Sequence, residues 1–176
     1  MMSPYLNIAA YKFVPLSYLK ERRASLLAQC KRWNVRGSIL LSPEGINLFV
    51  AGEPQNVESL LGELRSWPGL SDLQTKISGA ERAPFQRMVV RIKKEIIAFG
   101  VEGIDPVERT SPRIAPRELK QWLDEGRPIT LLDTRNDYEV KLGTFENAVA
   151  LGIDHFPELA QATNKLPPEL KRHPDV

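Results

Sequence analysis

Gly37-Ser38-Ile39-Leu40-Leu41-Ser42-Pro43-Glu44-Gly45-Ile46-Asn47-Leu48-Phe49-Val50-Ala51-Gly52 sets one apolar run before Ser42-Pro43-Glu44-Gly45 and another after it. Proline directly after serine suits the second position of a tight turn, and Gly45 can take positive φ, so the stretch predicts a β-hairpin. Upstream, Leu16, Leu19, Leu26, Leu27, Cys30 and Trp33 recur at helical steps and mark one apolar face. Ser17 is the expected cap of that helix, and Asn34 and Gly37 offer its stop. Residues 5–13, rich in aliphatic and aromatic side chains and followed by Pro15, predict a strand before it. Downstream, Val57, Leu60, Leu61, Leu64 and Trp67 mark a second amphipathic helix that Pro68-Gly69 stops. Residues 73–77 and 88–99 supply the remaining β material. The order β-α-β-β-α-β predicts a ferredoxin-like domain over residues 1–100. Two helices would cover one face of an antiparallel sheet and leave the other open.

Beyond it the texture changes. Gly103, Pro106, Pro112 and Pro116 interrupt any periodicity, so residues 101–116 are expected to form a linker. Residues 117–125 predict a short helix with Leu119, Trp122 and Leu123 inward and Gly126 past its end. Residues 129–132 form a continuous apolar run leading into Asp133-Thr134-Arg135, as suits a strand buried on both faces of a parallel sheet. Asn136 is placed to cap a short helix, residues 148–151 predict another buried strand, and residues 155–170 are helical in parts, broken by prolines. Residues 117–176 thus begin a second, α/β domain with a parallel sheet. The whole chain is mixed α/β, with an α+β first domain.

Composition fits this division. The 176 residues are 42% apolar and 26% charged, enough for a real core in a soluble protein. Residues 1–100 carry net charge +6 and residues 101–176 carry −4, which suits two domains and lets the first meet a polyanion. No run approaches the ~20 apolar residues of a membrane helix. Met1-Met2-Ser3-Pro4 lacks the features of a signal peptide, and the single Cys30 allows no intramolecular disulfide, so a cytoplasmic location with no membrane partner is expected.

Three separated segments carry a family resemblance. Leu131-Leu132-Asp133-Thr134-Arg135-Asn136-Asp137-Tyr138-Glu139, followed by Gly143-Thr144-Phe145-Glu146-Asn147-Ala148, resembles the first signature of the rhodanese superfamily, with Thr144 in place of a histidine and Asn147 in place of a glycine. The hairpin's Glu44-Gly45-Ile46-Asn47 and the later Pro84-Phe85-Gln86-Arg87-Met88-Val89-Val90-Arg91-Ile92-Lys93-Lys94-Glu95-Ile96 add two more segments. Together they resemble the rhodanese-domain tRNA uridine hydroxylases over essentially the whole chain. The resemblance implies a truncated rhodanese-like second domain. It implies an enzyme that oxidises the wobble uridine of tRNA to 5-hydroxyuridine, with molecular oxygen as co-substrate and no other cofactor evident. It also implies a catalytic cysteine on a loop beyond Val176, so this chain is expected to be an inactive N-terminal fragment. The competing readings are a rhodanese-type sulfurtransferase and a non-catalytic RNA-binding or docking module.

Several residues are candidates for that work. Asp133 and Arg135 sit where a parallel strand ends, beside the crevice in which such sheets bind ligands, and Arg135 is expected to pair with Glu139. These three form either an active-site scaffold or a purely structural ion-pair network. In residues 87–93 the two-residue period puts Met88, Val90 and Ile92 on one face and Arg87, Val89, Arg91 and Lys93 on the other. The basic set is the candidate tRNA contact. Arg82, Lys94 and Lys12 extend it, and Tyr11 and Phe13 offer stacking for unpaired bases. No DNA partner is expected. Cys30 lies on an apolar helix stripe and reads as inert core. His155 and His173 lack companions at metal-ligand spacing. Glu44 and Asn47 belong to the hairpin motif with no role assigned.

Overall fold

The computed structural model describes residues 3–97, 107–108 and 111–171. The chain divides into two compact units, one within residues 1–97 and one from residue 109 onward. Half of the expected 101–116 linker lies outside the described residues.

The first unit runs β1 (Tyr5–Phe13), α1 (Leu19–Arg32), β2 (Arg36–Ser42), β3 (Gly45–Gly52), α2 (Pro54–Arg65), β4 (Lys76–Ala80) and β5 (Met88–Ile92). The sheet order is β4-β1-β3-β2-β5. Its first four members form the antiparallel ferredoxin-like arrangement. The fifth corrects the expectation of an all-antiparallel sheet: β5 lies parallel to β2, with Ile39 beside Val90. The β material after α2 is thus two edge strands on opposite sides of the sheet. The first begins at Lys76, not residue 73. Leu70 and Leu73 are instead buried in a turn that plugs the core.

Periodicity builds that core. Ile8 and Ala10 of β1 stand in register with Val50 and Leu48 of β3, and Leu48 with Ile39 of β2, all on the face the helices cover. Leu26 and Cys30 of α1, with Val57, Leu60, Leu61 and Leu64 of α2, close over them. Each buried Val, Leu or Ile among them contributes roughly 1.5–3 kcal/mol of apolar burial.

Local signals explain the junctions. Helix α1 starts after Tyr18, at φ 54°, rather than from a Ser17 cap, and no side chain caps it. It stops where Asn34 takes φ 51°: Asn34 N–H donates to the Lys31 carbonyl and Val35 N–H to the Cys30 carbonyl, a Schellman ending. Gly45 has φ 152°, and a Cβ there would stand 2.1 Å from the Lys12 carbonyl oxygen, so glycine lets the hairpin press against β1.

The second unit is sparser. Helix α3 (Pro116–Asp124) ends at Gly126, φ 65°, where Gly126 and Arg127 N–H donate to the Leu123 and Trp122 carbonyls. Strands β6 (Leu132–Asp133) and β7 (Val149–Ala150) pair in parallel, with α4 (Asp137–Val140) between them and α5 (Leu159–Asn164) after. The strands are shorter than expected and not buried on both faces. Leu132 and Leu123 are each 38% exposed, because a pair of short strands offers nothing to cover them. Among the described residues of this unit only Ile153 is buried.

Candidate nucleic-acid interface

Register decides which side chains share the sheet face away from the helices, because cross-strand partners point the same way. One row runs Lys76, Ala9, Phe49, Ser38 and Val89 across the five strands. The next runs Tyr11, Asn47, Leu40 and Arg91. Arg36 stands two residues before Ser38 on the same face, opposite Ala51. Tyr11 packs edge-on against Phe13, with ring centres 6.1 Å apart.

This face is not wholly open, which corrects the simple two-layer expectation. After β5 the chain is strapped across its hairpin end. Ser42 Oγ donates to the Lys94 carbonyl at 2.8 Å, Asn47 Nδ2 to the Ile96 carbonyl at 3.2 Å, and Ile96 N–H to Glu44 Oε1 at 2.7 Å. The Ser42 hydroxyl also accepts the Glu44 N–H at 3.0 Å. Ile96, itself part of this strap, is buried outside the main core cluster. Glu44 and Asn47 therefore fix the path of residues 94–96 over the sheet.

Arg82, Arg87, Arg91, Lys93 and Lys94 are all exposed. Val90 is buried against the helices and Met88 packs on the same core, while Ile92, at the end of the strand, remains 38% exposed. Lys12 does not join the basic set. It stands in register with Ile46, on the helix-side face, and forms an ion pair with Asp72. The two-residue period that brings Tyr11 and Phe13 to one face sends Lys12 to the other.

Sequence reasoning missed Lys20 and Arg23. With Val90, Arg91, Ile92 and Lys93 they line a groove between α1 and β5, and Arg23 Nε donates to the Val90 carbonyl at 2.9 Å. The cations of Lys20-Glu21-Arg22-Arg23 were visible, but their neighbour was not. Arg22 turns elsewhere, its guanidinium 4.3 Å from the centre of the Trp67 ring.

In the second unit Asp133 gathers the local hydrogen bonds. Arg135 grips it with Nε at 3.0 Å and Nη2 at 2.6 Å, Thr144 Oγ1 donates at 2.7 Å, and the Arg135 N–H donates at 3.1 Å. The Arg135 and Thr144 bonds hold the Asp133 carboxyl well below its usual range. Arg135 also donates to the Gly143 carbonyl at 2.7 Å. The expected Arg135–Glu139 pairing is not what forms, since Asp133 lies nearer along the turn. Glu139 instead accepts the Asn136 N–H at 3.2 Å, so Asn136 opens α4 as expected. Asn147 has φ 59°, a left-handed conformation asparagine tolerates well, which explains asparagine at the place of a glycine.

Cys30 is fully buried, and burial pushes its thiol up to about 12, so it has no nucleophilic use. His155 is exposed, and His173 lies outside the described residues. Among the described residues no cluster of His, Cys, Asp and Glu could hold a metal ion, and no helix is long and apolar enough to cross a membrane.

Residues 5–96 match the family described as the UPF0176 acylphosphatase like domain, the class to which the first unit's strand order assigns it. The tRNA uridine(34) hydroxylase of Thiobacillus denitrificans is 46% identical over 175 residues, covering 97% of this chain and 68% of that protein. The tRNA uridine(34) hydroxylases of Cupriavidus taiwanensis and Bordetella petrii are each 44% identical, over 89% and 92% of this chain and 57% and 66% of theirs. The chain belongs to the tRNA uridine(34) hydroxylase family, and it spans between 57% and 68% of the length of these relatives.

Proposed function

We propose that the protein hydroxylates the wobble uridine of tRNA, with molecular oxygen as oxidant, and that its first unit holds the RNA. The observation that carries this is the 46% identity to a tRNA uridine(34) hydroxylase along 97% of the chain. The surface chemistry supports it. Arg82, Arg87, Arg91, Lys93 and Lys94 are exposed cations around β5, and Lys20 and Arg23 extend them through the adjoining groove. Cations spaced along an edge strand suit successive phosphates. Lys12 is left out, because Asp72 neutralises it on the far face.

Asp133, Arg135 and Glu139 act as scaffold in this reading. The carboxylate of Asp133 is occupied by Arg135 and Thr144, which fixes the turn between β6 and α4 without a reacting atom. A catalytic thiol, which the family resemblance calls for, cannot be Cys30 and is assigned outside residues 1–176. The burial of Cys30 speaks against sulfur transfer by these residues alone. A tRNA substrate supports a cytoplasmic location.

The test is direct. Purified intact protein is incubated with unmodified tRNA under isotopically labelled dioxygen, and the nucleosides are read by mass spectrometry. Labelled 5-hydroxyuridine at the wobble position is expected; unchanged uridine there would overturn the reading.

A further inference from the structure

Phe49 lies on the central strand of a five-stranded sheet, yet 56% of its surface is exposed. The cause is its neighbours. Ala9 and Ser38, in register on either side, are too short to shield the ring. Tyr11 is its diagonal neighbour, opposite Asn47, and is 44% exposed. A diagonal pair on adjacent antiparallel strands lies ~7–8 Å apart, within reach of aromatic side chains, so the two rings form one surface. Exposed cations frame the pair: Lys76 beyond Ala9, Arg36 on one side and Arg91 on the other.

The geometry points to a stacking platform: Phe49 and Tyr11 receive unpaired bases of a single-stranded RNA segment, while Lys76, Arg36 and Arg91 hold its phosphates. Rings ringed by cations match a ligand that is itself flat rings strung on anions. An apolar protein surface would complement the rings and leave the cations unmatched. The strap of residues 94–96 is anchored at Ser42 and Asn47, on the hairpin side of Phe49, and both rings keep exposed surface beside it. This inference rests on the tRNA reading and deepens it, since the anticodon loop that presents the wobble base is single-stranded.

The experiment compares two probes with the intact protein: a synthetic anticodon stem-loop with uridine at the wobble position, and a fully paired RNA duplex of equal length. Phe49→Ala should weaken stem-loop binding roughly 5- to 150-fold, the equivalent of the ~1–3 kcal/mol of one stacked base, and leave duplex binding unchanged. Phe49→Trp should retain stem-loop affinity. Because Phe49 is largely exposed, the alanine variant should melt within a few degrees of wild type. Stem-loop affinity held within about twofold by Phe49→Ala, while wild type binds, would overturn the platform and leave the tRNA reading intact. An equal loss on stem-loop and duplex would also overturn it. If Phe49→Ala breaks a dimer with stem-loop affinity preserved, the face is a protein interface and the platform is wrong. If wild type binds neither probe, the tRNA reading falls and the platform with it.

Discussion

Glu44 Oε1 accepts the Ile96 amide hydrogen at 2.7 Å, joining residues 52 positions apart. One carboxylate in the hairpin turn thereby sets where the chain goes after its last strand in the sheet. Removing it leaves a part-buried amide without its partner, and that costs more than the bond is worth in isolation. Glu44→Ala should destabilise the first unit by roughly 1–2 kcal/mol. Amide exchange should rise at Ile96 and stay slow at Leu48, in the core. Equal acceleration at both positions would show global loosening instead.

The basic edge around β5 makes a separate forecast. Alanine at Arg87, Arg91 and Lys93 together should weaken tRNA binding by the intact protein. It should also flatten the slope of log affinity against log salt by roughly one per residue. A triple variant with the wild-type slope would remove these residues from the interface.

How far the sequence led, and where it stopped, is instructive at single residues. Leu26 and Cys30 announced the buried stripe of α1, and Asn34 its end, because those signals are local. The hairpin was legible from Pro43 and Gly45 for the same reason. Nothing local says that β5 lies beside β2 in parallel, since a two-residue period is silent about the neighbour. Lys12 neighbours Tyr11 in sequence but not on a face, because alternation turns it to the helix side, opposite Ile46. Phe49 was unreadable as exposed, because its exposure depends on Ala9 and Ser38, contributed by other strands. The strap needed three side-chain bonds, each across about 50 residues of chain, and no periodicity encodes those.

Asp133 carries a pH prediction with a definite sign. Its folded-state pKa is depressed, chiefly by the Arg135 bonds and then by Thr144. The stability it contributes is therefore fully present above the ordinary carboxylate range, ~3.9, and is lost as pH falls through the lower folded value. The Arg135 amide, which donates to Asp133 Oδ1, should keep its bonded chemical shift as pH drops through that range. A titration midpoint near the ordinary value would contradict the arrangement. Asp133→Asn should remove the effect and free Arg135.

Cys30 should behave as core. With the thiol pushed up to about 12 and no exposed surface, it should resist a thiol-selective alkylating reagent at neutral pH and react only on unfolding. Rapid labelling of the native protein would contradict the reading of Cys30 as core.

If this chain is part of a working wobble-uridine hydroxylase, as proposed, cellular tRNA should carry its product. The most direct test is the level of 5-hydroxyuridine at the wobble position in tRNA from cells lacking the gene, measured by nucleoside mass spectrometry. The modification should disappear on deletion and return when the intact gene is restored. A wobble position modified to the same level with and without the gene, in cells with no second copy, would contradict it.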